Sequence, residues 1–230
     1  MFWGLSHNEA FFAKKVSAFA ALGPVMQLTN CKSSLIHFFA DFQTLLVDTC
    51  SALGIYEFFP ANWVTTGAMR LLCGTIPALC NFGLYLISDE DPSLNDPDRA
   101  PVYLGHFPSG TSLRSLQHYG QILTSKNFQR MDYGSKANTQ HYGTATPPLV
   151  NLQNIKTVPI GLFVGLKDQL ATPEDNRWAK TQMSSLKVYK EYNLGHMSFL
   201  IAKDYSFFND VMNFIKQYHP AQLSAAPFLA

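Results

Sequence analysis

A chain of 230 residues that is 47% apolar and only 14% charged has the material for a sizeable buried core and falls outside the disordered class. Its 17 Lys and Arg nearly balance 16 Asp and Glu. No basic run or Arg-rich stripe occurs, which excludes nucleic acid as the partner class and leaves neutral or apolar ligands.

Residues 6–9 (S-H-N-E) have the form of a capping box and predict a helix with apolar Phe11, Phe12 and Val16 on its following turns. Residues 16–26 form a run of small apolar residues closed by Gly23 and Pro24, the pattern of a parallel strand buried on both faces. From residue 32 to 142 the texture changes. Apolar stretches at helical spacing, 35–53 and 69–86, are separated by Pro60, Pro77 and the polar turn 89–98. This stretch is too long for a βα loop and predicts an inserted helical lobe. Within it, residues 71–88 are uncharged, but Gly74, Pro77, Asn81 and Gly83 interrupt them. That favours a buried or interfacial helical hairpin over a transmembrane span. Residues 111–123 predict one more amphipathic helix, with Leu113, Leu116 and Ile122 on its apolar side.

An α/β rhythm returns at Pro147. Residues 158–165 predict a buried strand, and Thr172, Pro173, Glu174 and Asp175 predict a helix start with Thr as N-cap and Pro in the first turn. Residues 186–192 alternate as a strand near a sheet edge does. Residues 203–218 predict a final helix with Phe207, Phe208, Val211, Met212, Phe214 and Ile215 inward. Cys31, Cys50, Cys73 and Cys80 match no zinc spacing. Cys73 and Cys80 are placed to allow one disulfide, a point the sequence leaves open. Residues 1–5 are too short for a signal-peptide core, and no N-glycosylation sequon is present.

Two fragments carry the chemistry. Asp168 follows a Gly-ended strand, where open α/β sheets place their sites. His196 follows Gly195 one helix and one strand later. An acid and a histidine in that order are how an α/β-hydrolase delivers the last two members of a Ser–Asp–His triad. Alone, Asp168 reads as a turn residue and His196 as a solvated loop histidine; the spacing between them favours the pair. Asp175 is the alternative acid. His7, His37, His106, His118, His141 and His219 lack such a context; for His106 and His118, which lie in the lobe, ordinary polar packing is favoured over lining a pocket. No G-x-S-x-G pentapeptide occurs in the chain. Ser6, in G-L-S-H-N, copies four of its five positions, but only Met1 to Gly4 precede it and it is expected to be an N-cap, not a nucleophile.

The segments H-F-P-S-G-T-S (106–112), L-Q-H-Y (116–119), K-N-F-Q-R-M-D-Y-G-S (126–135) and K-D-Q-L-A-T-P-E-D (167–175) resemble the acid lipase family, α/β-hydrolases of the gastric and lysosomal acid lipase type. The resemblance implies an α/β fold with residues 1–31 and 143–230 in the hydrolase core and residues 32–142 as a helical cap or lid. It assigns Asp168 as triad acid and His196 as triad base, with Ser198 where relatives often carry Asp. It also implies hydrolysis of triacylglycerols or sterol esters at a lipid–water interface, in a lysosomal or secreted setting, without metal or cofactor. The opening of the chain resembles the family segment just after the nucleophile elbow. The expectation is therefore that the catalytic serine is absent from these residues, which would be inactive by themselves. The alternative is a non-catalytic lipid- or protein-binding role.

Overall fold

The computed structural model describes residues 1–58, 60, 62–99, 102–103 and 109–219. Its centre is a parallel sheet in the order β1 (Phe19–Leu22), β4 (Ile160–Gly165) and β5 (Leu186–Tyr192). Phe19 pairs with Ile160 and Leu22 with Phe163, while Gly165 pairs with Tyr192. A second sheet, antiparallel, joins the two-residue strands β2 (Glu57–Phe58) and β3 (Thr111–Ser112).

All six residues of β4 are buried, as the apolar run predicts for a strand covered on both faces. Successive side chains of a strand point to opposite faces, and here they enter different clusters. Ile160, Leu162 and Val164 pack with Phe2 and Leu5 of α1 (Phe2–His7), and with Ala179 of α9 (Pro173–Gln182). Phe163 packs with Phe207, Val211 and Phe214 of α11 (Phe207–Tyr218). Gly161 is needed beside Phe163, because an added Cβ would lie 2.9 Å from its ring and 3.1 Å from that of Phe214. Each large aliphatic side chain so buried is worth about 1.5–3 kcal/mol.

Three expectations of the core need correction. The capping box does not form: Ser6 lies inside α1 and donates to the Asn151 carbonyl at 2.5 Å, while Asn8 caps α2 (Glu9–Phe12). The Glu9 carboxylate instead accepts from the Lys156 and Thr157 amides, and these bonds hold its pKa low against the opposing effect of burial. The strand at 16–26 is only four residues long and half-buried, with Leu22 exposed. It stops where Gly23 takes φ +52° and Pro24 removes a donor. On the last helix, Phe208 is exposed, opposite the buried Phe207, Val211 and Phe214. The predicted α9 start holds: Thr172 accepts from the Asp175 amide, with Pro173 in the first turn.

Between the core segments run α3 (Ser34–Asp41), α4 (Gln43–Ala52), α5 (Trp63–Thr75), α6 (Pro77–Ile87), α7 (Leu113–Ser125) and α8 (Ser135–Tyr142). Cys73 and Cys80 are disulfide-bonded across the α5–α6 junction. Among the described residues no single helix is long and apolar enough to cross a membrane; α5 and α6 reach that length together but bend by 112°. Their apolar side chains are mostly exposed, Trp63 by 85% and Leu71 by 69%, which removes the buried option for the hairpin. Short α10 (Ser198–Ile201) precedes α11.

Candidate active site

The site is assembled at the carboxyl ends of β4 and β5. β4 ends at Gly165, where a side chain would run into the Leu194 carbonyl, so glycine lets the two post-strand loops pass closely. The chain turns through Leu166 and Lys167, whose amides donate to the carbonyls of Tyr192 and Leu194. Asp168 then points inward, with its side chain fully covered. One carboxylate oxygen, Oδ1, accepts from the Leu170 and Ala171 amides at 2.8 and 2.7 Å. The other, Oδ2, is 2.9 Å from His196 Nδ1.

His196 sits in the loop between β5 and α10 with about a quarter of its side chain exposed. Among the described residues its second nitrogen, Nε2, has no hydrogen-bond partner. Burial acts to lower the pKa of the ring, but the hydrogen bond it donates to Asp168 and the charges of Asp168 and Asp89 outweigh that and leave the pKa above the ordinary histidine value. Asp168 fixes Nδ1 as the protonated nitrogen in the neutral ring and leaves the Nε2 lone pair for a proton. A cleft of about 490 Å³ adjoins the histidine loop and is lined by Arg99, Val102, Tyr103, Met197, Leu200 and Ile201.

Gly23, immediately after β1, completes the wall behind the pair. A Cβ there would lie 3.1 Å from Asp168 Oδ2 and 3.2 Å from His196 Nδ1, and its positive φ favours glycine independently. In the sequence Gly23 reads only as a strand terminator, through the G-P dipeptide that closes an apolar run.

The other candidates lie elsewhere. Asp175 is buried and accepts from Gln27 and from the amide and side chain of Asn30, so it ties down the 27–30 loop and does not touch His196. His37 and His118 bond to the carbonyls of Cys31 and Gln129. His7 stacks on Trp3, His141 lies against Tyr133, and His219 contacts Ser17. His106 falls outside the described residues. No group of three or more His, Cys, Asp or Glu suited to a metal occurs among the described residues.

No family model matches the chain. Among curated proteins, Lipase lipl-3 of Caenorhabditis elegans is 34% identical over 179 residues, 76% of this chain and 44% of the relative. Lipase lipl-5 of the same organism is 32% identical over 207 residues, 86% of this chain and 51% of the relative. Gastric triacylglycerol lipase of Homo sapiens is 31% identical over 213 residues, 89% of this chain and 52% of the relative. The chain thus spans about half the length of the curated relatives it matches. Among solved structures, a soluble variant of monoglyceride lipase from Saccharomyces cerevisiae aligns with a TM-score of 0.44 and 14% identity, covering 94% of this chain and 56% of that one. An α/β hydrolase fold protein from Nakamurella multipartita aligns with a TM-score of 0.42 and 12% identity, covering 94% and 65%. The parallel α/β sheet and the similarity to these named lipases support placing the chain with the acid lipases, which are α/β-hydrolases.

Proposed function

We propose that these residues supply the acid and the base of a carboxylic ester hydrolase acting on triacylglycerols or sterol esters. His196 takes the proton of a serine hydroxyl through Nε2 and returns it to the leaving alcohol, while Asp168 orients the ring and stabilises the imidazolium. The observation that carries this reading is the 2.9 Å contact between a covered carboxylate and a partly open imidazole. That contact lies at adjacent strand ends beside an apolar cleft. With no G-x-S-x-G pentapeptide in the 230 residues, the nucleophile and its oxyanion donors come from outside them, and the chain by itself is inactive. Residues 32–142 form a cap on a core made of residues 1–31 and 143–230. The exposed apolar faces of α5 and α6 meet the lipid–water interface. The disulfide between Cys73 and Cys80 suits a secreted or lysosomal setting.

The test is a chimera in which the part of human gastric triacylglycerol lipase preceding the matched region is joined to these 230 residues. The chimera is expected to hydrolyse an emulsified long-chain triacylglycerol and to label with a fluorophosphonate probe, while the 230-residue chain does neither. A folded chimera without activity, or labelling of the short chain at Ser6, overturns the reading. A second reading, a lipid-binding protein without chemistry, draws on the same exposed α5–α6 surface. It predicts adsorption to the emulsion by the short chain and an inert chimera.

A further inference from the structure

Asp89 is fully buried at the end of the helical stretch, in a segment the sequence marks only as a polar turn. Its backbone forms an antiparallel bridge with Asp168. Glu90 and Gln169 donate across that bridge to the carbonyls of Lys167 and Ser88, both at 2.9 Å. The Asp89 carboxylate turns the other way, to the histidine loop. Oδ1 accepts from the Met197 amide at 2.9 Å, and Oδ2 accepts from the Asn95 side chain at 2.9 Å. Asn95 in turn accepts from the Ser198 hydroxyl at 2.7 Å, and Ser198 accepts from the Gly195 amide at 3.0 Å. The donors and acceptors therefore run in one unbroken chain that ends on the two amides flanking His196.

Three further features show that this approach is built. Gly195 admits the carboxylate, since an added Cβ would lie 2.5 Å from Asp89 Cγ. Asp96 and Lys203 then stitch the same segment to α10, through the carbonyls of Ile201 and Leu94 at 2.7 and 3.0 Å. Asn95 and Ser198 are themselves buried, so neither bond is exchanged for water. Leaving such a group without a partner costs about 1–3 kcal/mol.

We propose that Asp89 is a positioning residue for His196, holding its loop from both sides through Met197 and through the Asn95–Ser198 link. The inference rests on the reading of His196 as the base. The role separates from that of Asp168: one carboxylate sets the tautomer of the ring, and the other sets where the ring stands and adds a second negative charge beside it. Burial raises the Asp89 pKa against the lowering effect of its Asn95 and Met197 bonds. The Asp89 charge nevertheless helps to raise the His196 pKa, so removing it should weaken proton binding at His196.

The experiment follows the His196 imidazole by NMR titration in the 230-residue chain, with amide exchange at Gly195 and Met197. Asp89→Asn, whose amide can still fill the site, should weaken proton binding at His196 at least twofold, about 0.3 pH unit. Ser198→Ala should speed exchange of the Gly195 amide about tenfold and move the titration in the same direction. If Asp89→Asn does not fold, Ser198→Ala carries the test. An unmoved titration and unchanged exchange in the folded variants, with Asp168→Asn still shifting His196, overturn this proposal alone. If Asp168→Asn also leaves His196 unmoved, the acid–base reading falls with it.

Discussion

Replacing Asp168 by Asn changes one atom at the centre of the site and has a calculable consequence. Asn keeps one oxygen, and the two amides of Leu170 and Ala171 at 2.8 and 2.7 Å dictate that it occupies the Oδ1 position. The amide nitrogen must then stand where Oδ2 is 2.9 Å from His196 Nδ1. Two donors cannot share that contact, so the ring answers by moving its proton to Nε2 and accepting at Nδ1. The loss of one charge-assisted hydrogen bond removes about 1.5–3 kcal/mol. At about 1.4 kcal/mol per unit, that corresponds to a fall of about one to two units in the His196 pKa. Long-range nitrogen–proton correlation spectra distinguish the two tautomers directly, and a pH series gives the midpoint. In the serine proteases the same exchange lowers kcat about 10⁴-fold through the wrong tautomer. An unchanged tautomer with a midpoint within about 0.3 unit of the parent would refute the claim that Asp168 governs this ring.

Because the His196 pKa is raised in the folded state, its contribution to stability is complete below the unfolded value of about 6.5 and is lost as pH rises through the folded value. Denaturant titrations should show this fall, and His196→Ala should abolish it. Gly23→Ala forces a side chain into φ +52° and against Asp168 and His196. The conformation alone costs about 1–2 kcal/mol, a loss of roughly 2–8 °C in Tm, and His196 should also bind its proton more weakly. Changing Cys73 and Cys80 to Ser opens a short loop on an exposed hairpin. Proteolysis and amide exchange should rise over residues 63–87 and not in the buried β4.

The core was legible because its central strand is all apolar and ends in Gly165, and because Thr172-Pro173 announces the next helix without help from tertiary contacts. β1 was less legible. Small apolar residues such as Ala18 and Ala20 mark a strand but not its length, which depends on pairing with β4 and on the turn at Gly23. The periodicity that places Phe207, Val211 and Phe214 inward also admits Phe208, and only packing against β4 excludes it. Spacing brought out Asp168 and His196 because each follows a strand end. Asp89, Asn95 and Gly23 reach the same site from distant segments, with long-range bonds such as Ser198 to Asn95 that no local pattern records. Ser6 and Glu9 mimic a helix cap locally, but the Asn151 carbonyl and the 156–157 amides compete for them.

The most direct measurement is the kcat on emulsified long-chain triacylglycerol of the gastric-lipase chimera, compared with its His196→Ala and Asp175→Asn variants. The account predicts that His196→Ala loses at least about 10³-fold, as removal of a triad base does, with KM little changed. Asp175→Asn, at a carboxylate that accepts from Gln27 and Asn30, should retain most of the rate. Near-normal turnover by the folded His196→Ala chimera would contradict the account.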